Sequence, residues 1–470
     1  MTPTELDSEG ADRPRLFLDC SMTAVSTSQA GIQRVVRNVA RCAPAIAAQQ
    51  GMQSRTVVFR DGRWRDVPTA LDRVRAVNPQ ATSVHVPTAH VPSTREKPTW
   101  ASRIAGRARK ILFPRTLVRG VRRFASNFFD FGDPVVDFRP GDILLLLDGS
   151  WLNSEIPRFD AARRAGVKIG LVAYDLLPLA PGRFMLPKAE RQFRRWMRQV
   201  VPQVDFMLAI SQAVRDEFLE WLPQEFPSGC VGGDLVSWFP LGVKLDLAAP
   251  GGVVRPEVRE FFAAGHSTYV KVCTFEPRKN HAVVLDAFER VWRERPDARL
   301  CLVGRRGWLC DELVERVSRD PRRGTQLQWF SDLTDAELAY CYQHARGAVF
   351  ASLAEGYGLP IVEALQHGLP TFASDIPVHR EVGGEYCDWF PPRQPETLAQ
   401  LLLHHLRTGV CGSQRPPQQF RATSWEESTA VLVSECRRLA GLVSARQASP
   451  LHAINHLPAV GPPIIEECHS

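Results

Sequence analysis

No stretch of this chain approaches the roughly 18 consecutive apolar residues that a membrane-spanning helix requires. The first ten residues, Met1 to Gly10, are acidic and polar, unlike the basic and then apolar start of a secretory signal peptide. Cys-x-x-Cys pairs are absent, and the eleven cysteines are odd in number and scattered. That pattern predicts reduced thiols in a cytoplasmic protein and argues against a disulfide frame or a zinc site. Neither Gly-x-Ser-x-Gly nor a Walker sequence occurs, so a nucleophile-elbow hydrolase and a P-loop NTPase are poor first readings. A strong excess of one charge is missing too: 58 Lys and Arg stand against 51 Asp and Glu, a net +7. How that charge is distributed matters more than its sum.

What is present is length and alternation. At 470 residues the chain can fill two domains, each with its own core. Apolar runs alternate with helical periodicity in the manner of α/β folds with parallel sheets. In the first half, Arg15–Cys20, Asp142–Asp148, Lys168–Ala173 and Asp205–Ile210 read as strands, with Ser211 as the cap of the helix that follows. In the second half, Tyr269–Thr274, Arg299–Val303, Leu327–Phe330 and Pro370–Ala373 read the same way. Gly31 opens an amphipathic helix marked by Ile32, Val35, Val36 and Val39. A glycine there either cradles a ligand or permits tight helix–strand packing.

The most informative stretch is Glu355-Gly-Tyr-Gly-Leu-Pro-Ile-Val-Glu363, set between the apolar run Gly347–Ser352 and a helical pattern. Gly356 and Gly358 let a ligand approach the backbone. The amide groups of a helix start favour phosphate, and carboxylates such as Glu355 and Glu363 accept several hydroxyl hydrogen bonds. Phosphate donors beside hydroxyl acceptors describe a nucleotide-sugar pocket. A second constellation, Glu276-Pro-Arg-Lys-Asn280, follows the strand at 269–274, where an Arg fork and a Lys point charge can neutralise a diphosphate.

Glu355–Glu363 resembles the Glu-x7-Glu signature of retaining glycosyltransferases of family 4, and Glu276–Asn280 matches the same family's diphosphate-binding turn. Gly31-Ile-Gln-Arg34 and Tyr174-Asp175-Leu-Leu-Pro178 are similar to elements of its O-antigen and capsule branch. The resemblance covers residues 15–243 and 266–440 apart from an insertion. It implies a GT-B fold, two doubly wound Rossmann-like α/β domains facing a cleft, with a C-terminal helix returning to the first. The layout expected is a disordered start over 1–14, a first (acceptor) domain over 15–247 with a basic insertion at 61–140, a linker over 248–265, a nucleotide-sugar domain over 266–423, the returning helix over 424–444 and a loose tail over 445–470.

The resemblance further implies a hexosyltransferase acting on a polysaccharide or lipid-linked oligosaccharide in cell-surface glycan synthesis, with GDP-mannose or a related deoxyhexose donor. Arg278 and Lys279 would hold the donor diphosphate, Glu355 would lie at the donor sugar and Glu363 at the ribose. The amides of Gly356, Tyr357, Gly358 and Leu359 would bind phosphate or sugar oxygens, and Gly31 would face the cleft with Gln33 and Arg34. No metal or other cofactor is expected. Two positions depart from the pattern. Tyr174 stands where many relatives have histidine, and a tyrosine is no base near neutral pH. Cys273 replaces a glycine. Asp175 is then the first-domain candidate for contact with donor or acceptor, or else a turn residue bonded to its own backbone. His379 either borders the nucleotide or sits on a loop. A nucleotide-sugar epimerase and a catalytically silent scaffold are the rival readings.

Charge is concentrated in one place. From Arg95 to Arg123 there are ten basic residues and one acid, Glu96. Over 114–129, Leu117, Val121, Phe124 and Phe128 share one helical face, and Arg115, Arg119, Arg122 and Arg123 the other. That is the pattern of a helix lying on an anionic membrane, here the cytoplasmic face of the inner membrane, although packing on the domain core competes with it. Nucleic acid is not expected as a partner, since no recognition motif accompanies the charge.

Overall fold

The computed structural model describes residues 13–26, 31–67, 133–152, 155–180, 184–243, 252–263 and 266–447. The expected basic helix at 114–129, most of the N-terminal stretch and the tail beyond 447 lie outside these residues.

The first domain runs β1 (Arg15–Asp19), α1 (Ile32–Gln49), β2 (Gln53–Arg60), β3 (Arg63–Asp66), β4 (Ile143–Leu146), α2 (Asp160–Arg164), β5 (Lys168–Ala173), α3 (Pro187–Val200), β6 (Phe206–Ala209), α4 (Gln212–Glu225) and β7 (Val236–Trp238). Its seven strands are ordered β3-β2-β1-β4-β5-β6-β7, parallel except for β3. Every residue of β4 and β6 is buried, as a sheet covered on both faces demands. Val35, Val36, Val39, Ala43 and Ala47 give α1 the three-and-four spacing that lays one face on this sheet.

The second domain runs α5 (Pro256–Phe261), β8 (Ser267–Val272), α6 (His281–Glu294), β9 (Ala298–Val303), α7 (Asp311–Arg319), β10 (Leu327–Phe330), α8 (Asp335–His344), β11 (Gly347–Phe350), α9 (Leu359–Gln366), β12 (Thr371–Ser374), α10 (Pro377–Gly383), β13 (Cys387–Phe390) and α11 (Pro395–Thr408). Its sheet, β10-β9-β8-β11-β12-β13, is parallel throughout and has the doubly wound order. A final helix, α12 (Trp425–Gln447), leaves this domain and buries Trp425, Leu432, Val433, Cys436 and Leu439 in the core of the first. Gly242 permits that return, because a Cβ there would stand 2.5 Å from the Trp425 Cα.

Two sequence-based boundaries are corrected. The expected linker at 248–265 contains α5, whose Val258 and Phe261 belong to the second domain's core. Pro256, which suggested a linker, occupies the helix's first turn, where its missing N–H costs nothing. Arg255 fastens this helix to the buried Glu337, the carboxylate of the capping box that starts α8. The insertion expected at 61–140 gives up both ends to the sheet. Asp61 and Gly62, with φ of 51° and 73°, make the tight turn between β2 and β3. Buried Trp64 then packs on Phe59 and Phe159, and Val135 bridges to Arg65.

Candidate active site

In the second sheet β8 and β11 are neighbours whose onward connections run to opposite sides, which opens a crevice at their carboxyl ends. The chain after β8 forms a short turn over Pro277–Lys279, and the chain after β11 brings Ser352 to Glu355 beside it. Leu353 N–H donates to the Arg278 carbonyl at 2.7 Å, tying the two loops together. Arg278 donates Nε–H to Glu276 at 2.8 Å and its Nη1 to both Glu355 and the Ala354 carbonyl. Lys279 Nζ and Ser352 Oγ converge on the other Glu355 oxygen, the serine at 2.6 Å. Burial alone would raise the Glu355 carboxyl, but the Arg278 and Lys279 cations hold it well below the usual carboxylate range. Glu355 is thus ionised and positions both cations.

The cations are not used up. A guanidinium has five N–H donors and an ammonium three. Among the described residues no acceptor meets Arg278 Nη2, and Lys279 spends one donor on Glu355. Behind them lies Lys271 on β8, which is 1% exposed and whose ammonium burial disfavours. His281 stacks on Phe275 and is kept neutral by burial and by Lys271 and Lys279. Cys273, the departure from the family pattern, places its Sγ 3.4 Å from His281 Nε2.

The motif that joins β11 to α9 also joins the domains. A Cβ on Gly356 would stand 2.5 Å from the Tyr174 carbonyl, so only glycine allows the approach. Its own carbonyl accepts Ser211 Oγ–H at 2.9 Å, and Tyr357 donates its hydroxyl to the Leu241 carbonyl at 3.1 Å. Gly358 is left-handed at φ 103°, and Leu359 begins the helix whose first-turn amides lack intrahelical acceptors. Glu363 is buried on α9, accepting Tyr342 O–H at 3.3 Å and, across the cleft, Arg34 Nη1–H at 2.6 Å. His379 is buried and bonded to Ser374 rather than placed on a solvated loop, and burial lowers its pKa to about 4. Glu381 receives the N–H groups of Gln212 and Ala213 at 2.8 Å each, a carboxylate at the positive end of α4.

Across the crevice the first domain offers its own strand ends. Asp175, after β5, accepts Leu177 N–H at 3.1 Å. Burial raises its carboxyl and Arg278 opposes the rise. Tyr174 spends its hydroxyl on the Leu147 carbonyl at 2.7 Å, and burial lifts its pKa far above the ordinary value, so it is no proton acceptor. Asp148, after β4, accepts the amides of Met22 and Thr23 at 2.9 and 2.6 Å. Gly31 caps α1 at φ 58°, and no atom of the described residues stands within 4 Å of where its Cβ would be, so among these residues its conformation rather than tight packing calls for glycine there. No group of three or more His, Cys, Asp or Glu side chains among the described residues has the proximity a metal ion needs.

Residues 258–409 match the family model described as glycosyl transferases group 1. The second domain is a group 1 glycosyltransferase domain. Over 331 residues the chain is 29% identical to the serotype-specific mannosyltransferase WbdA of Escherichia coli, covering 68% of this chain and 40% of that protein. It is 30% identical over 188 residues to the O-antigen chain mannosyltransferase B of Escherichia coli, covering 39% of this chain and 49% of the other. The chain therefore spans less than half the length of these relatives. Among solved structures, Anabaena Alr3699/HepE in complex with UDP-glucose aligns over 92% of this chain and 99% of its own, with a TM-score of 0.51 and 14% identity. That likeness concerns the fold, which is GT-B.

Around the group 1 signature the structure gathers residues that sequence reasoning passed over. Glu276 and Ser352 complete the clamp on Arg278 and Glu355, and Lys271 lies buried behind it. The one signal for Lys271 was a lysine inside the apolar strand pattern 269–274, since a charge there needs a reason to be buried.

Proposed function

We propose that this chain is a retaining glycosyltransferase. It moves a hexose, mannose or a related deoxyhexose, from a nucleotide sugar to a polysaccharide or lipid-linked oligosaccharide in surface-glycan synthesis. The observation that carries the reading is the pair Arg278 and Lys279, oriented by one ionised carboxylate, Glu355, at the crevice of a group 1 domain. Their remaining donors suit a diphosphate whose negative charge grows as it leaves. In this reading the acceptor hydroxyl attacks the anomeric carbon on the face the diphosphate departs from. The carbon–oxygen bond to phosphate breaks as the new glycosidic bond forms, and the hydroxyl proton passes to the departing phosphate oxygen. Glu363 takes the ribose hydroxyls and Asp175 the reacting end of the acceptor. Positive charge from side chains and from the start of α9 makes a divalent metal unnecessary.

The names of the relatives, mannosyltransferases of O-antigen chains among them, support mannose and a surface glycan. A screen of GDP, UDP and their sugars for stabilisation against heat tests the donor, since a ligand that binds the native state raises its apparent stability. GDP and GDP-mannose should shift the transition most, and a shift with uridine nucleotides alone overturns the guanosine donor.

Association with the cytoplasmic face of a membrane is part of the proposal. No helix among the described residues is long and apolar enough to cross one. Helix α3 supports a surface-bound mode. Lys188, Arg191 and Arg195 lie exposed on one face without ion-pair partners among the described residues, while Phe193, Trp196 and Met197 on the other face are buried. A basic stripe of this kind suits anionic headgroups.

A further inference from the structure

The transfer reaction leaves one titratable group behind the donor crevice without a role. Lys271, on β8, is 1% exposed, and Val270 and Val272 on either side of it pack in the second domain's core. The titratable groups that face it are Cys273 at the end of its own strand, Lys279 on the turn, His281 at the start of α6, Glu355 after β11 and His379 on α10. Among the described residues no carboxylate forms an ion pair with it.

The two acids of the clamp are already matched. Glu276 pairs with Arg278 at 2.8 Å, and Glu355 is shared by Arg278 and Lys279. Two cations thus face two carboxylates, and a charge on Lys271 is one more, unpaired and out of water, where an isolated ammonium is costly. Burial, and after it the Lys279 cation, lowers the lysine's pKa, and Cys273 and Glu355 oppose that only in part. His281 and His379 are neutral by burial and give no counter-charge.

A diphosphate changes this balance. It carries a negative charge on each phosphate and gains another when the glycosyl bond to it breaks. Held by Arg278 and Lys279, it brings that charge close to Lys271 in a setting where charges are weakly screened, and nearby opposite charge favours the ammonium. We propose that Lys271 takes up a proton from solvent when the protein binds a nucleoside diphosphate. The amine becomes an ammonium, one proton leaves the buffer, and a further cation stands behind the clamp as the leaving group gains charge. The inference rests on the diphosphate site proposed above and adds a proton-linked group to it. By linkage, nucleotide affinity falls as the pH rises through the range of uptake, by up to about tenfold per pH unit where a full proton is bound.

Calorimetric titration with GDP and UDP, in buffers of different ionisation enthalpy between about pH 7 and 10, counts the protons exchanged. Lys271→Met keeps an unbranched side chain of similar length, and Lys271→Gln is run beside it. The nucleotides' own ionisations are common to all three proteins, so the difference isolates Lys271. At the pH of greatest uptake the wild type should bind up to about one proton more than either variant, and its affinity should fall more steeply with pH. Denaturant unfolding gives a second readout without nucleotide. Wild-type stability relative to Lys271→Met should rise with pH, because the unfolded lysine binds a proton that the native one lacks. Equal proton uptake in wild type and variants, or none in the wild type, overturns the inference and leaves the diphosphate site standing. Uptake that persists in both variants and disappears in Cys273→Ser overturns it by placing the proton on the thiol. Loss of all nucleotide binding in folded variants also overturns it, because the group adds to a site that Arg278 and Lys279 already form. A wild-type protein that binds neither nucleotide removes the proposed site and this inference with it.

Discussion

Arg34 of the first domain and Glu363 of the second meet at 2.6 Å across the cleft, joining residues 329 positions apart in the chain. In the reading proposed above Glu363 takes the ribose, and the arginine then occupies part of the nucleotide's place. The pair is partly open, with the arginine side chain 25% exposed and the glutamate 7%. On that reading nucleotide displaces the pair. Arg34→Ala should therefore tighten nucleoside diphosphate binding by about threefold to tenfold, as expected for a pair worth on the order of 1 kcal/mol. Calorimetric titration measures this, and added salt should shrink the difference. Weaker binding in the variant would make Arg34 a ligand of the nucleotide instead of its competitor.

Arg278→Ala and Lys279→Ala should each lower kcat/KM by at least ~2 kcal/mol of transition-state stabilisation, about thirtyfold. Each also leaves Glu355 with one fewer partner in a buried setting, so melting temperatures should fall as well. Near wild-type turnover in both variants would take the two cations out of the site.

Transfer should survive exhaustive chelation, since the cations at this crevice are side chains. The check is the initial rate after EDTA treatment, before and after adding back Mn²⁺ or Mg²⁺. An activity that disappears and returns with metal contradicts the proposal that Arg278, Lys279 and the start of α9 supply enough positive charge at the leaving group.

Asp19, at the end of β1, is fully buried with Asp148 nearby, and burial raises its carboxyl to about 6 despite hydrogen bonds from Ser21 and Ser150. The native protein thus holds a proton that the unfolded chain releases between about pH 4 and 6. Stability carried by this group is present below that window and lost as the pH rises through it. Asp19→Asn removes the dependence and keeps the shape. Measured by denaturant unfolding, wild-type stability relative to Asp19→Asn should fall by on the order of 2 kcal/mol between about pH 4 and 7. A difference that does not change with pH would show that Asp19 is not held protonated.

Sedimentation with vesicles tests the basic face of α3. Binding should require anionic lipid and weaken with salt. The combined change Lys188→Glu, Arg191→Glu and Arg195→Glu should abolish it, at about 1 kcal/mol per basic residue removed. Unaltered binding in the triple variant would move the contact to another surface.

The alternation of strands and helices, the crevice of the second domain and the Arg278–Lys279 turn were legible because each is local: a strand, a turn and a helix start within a dozen residues. The Asp61-Gly62 turn is equally local, but the Pro- and Thr-rich stretch after it obscured a strand of only four residues. Helix α5 was hidden for a similar reason, its two apolar residues set among Pro and Gly. Arg34–Glu363 and a cavity beside Trp196 could not be read in this way. The first joins helices of different domains, and the second depends on which side chains meet once three helices and a sheet have packed.

The central claim is hexosyl transfer from a nucleotide sugar, and its most direct measurement is acceptor-dependent release of nucleoside diphosphate by the purified chain. Nucleotide sugars are supplied with short mannosides, and both products are quantified by mass spectrometry. The account predicts nucleoside diphosphate and glycosylated acceptor in equal amounts, with GDP-mannose the best donor. Donors that remain intact with every acceptor, or that are converted to a different free nucleotide sugar, would contradict it.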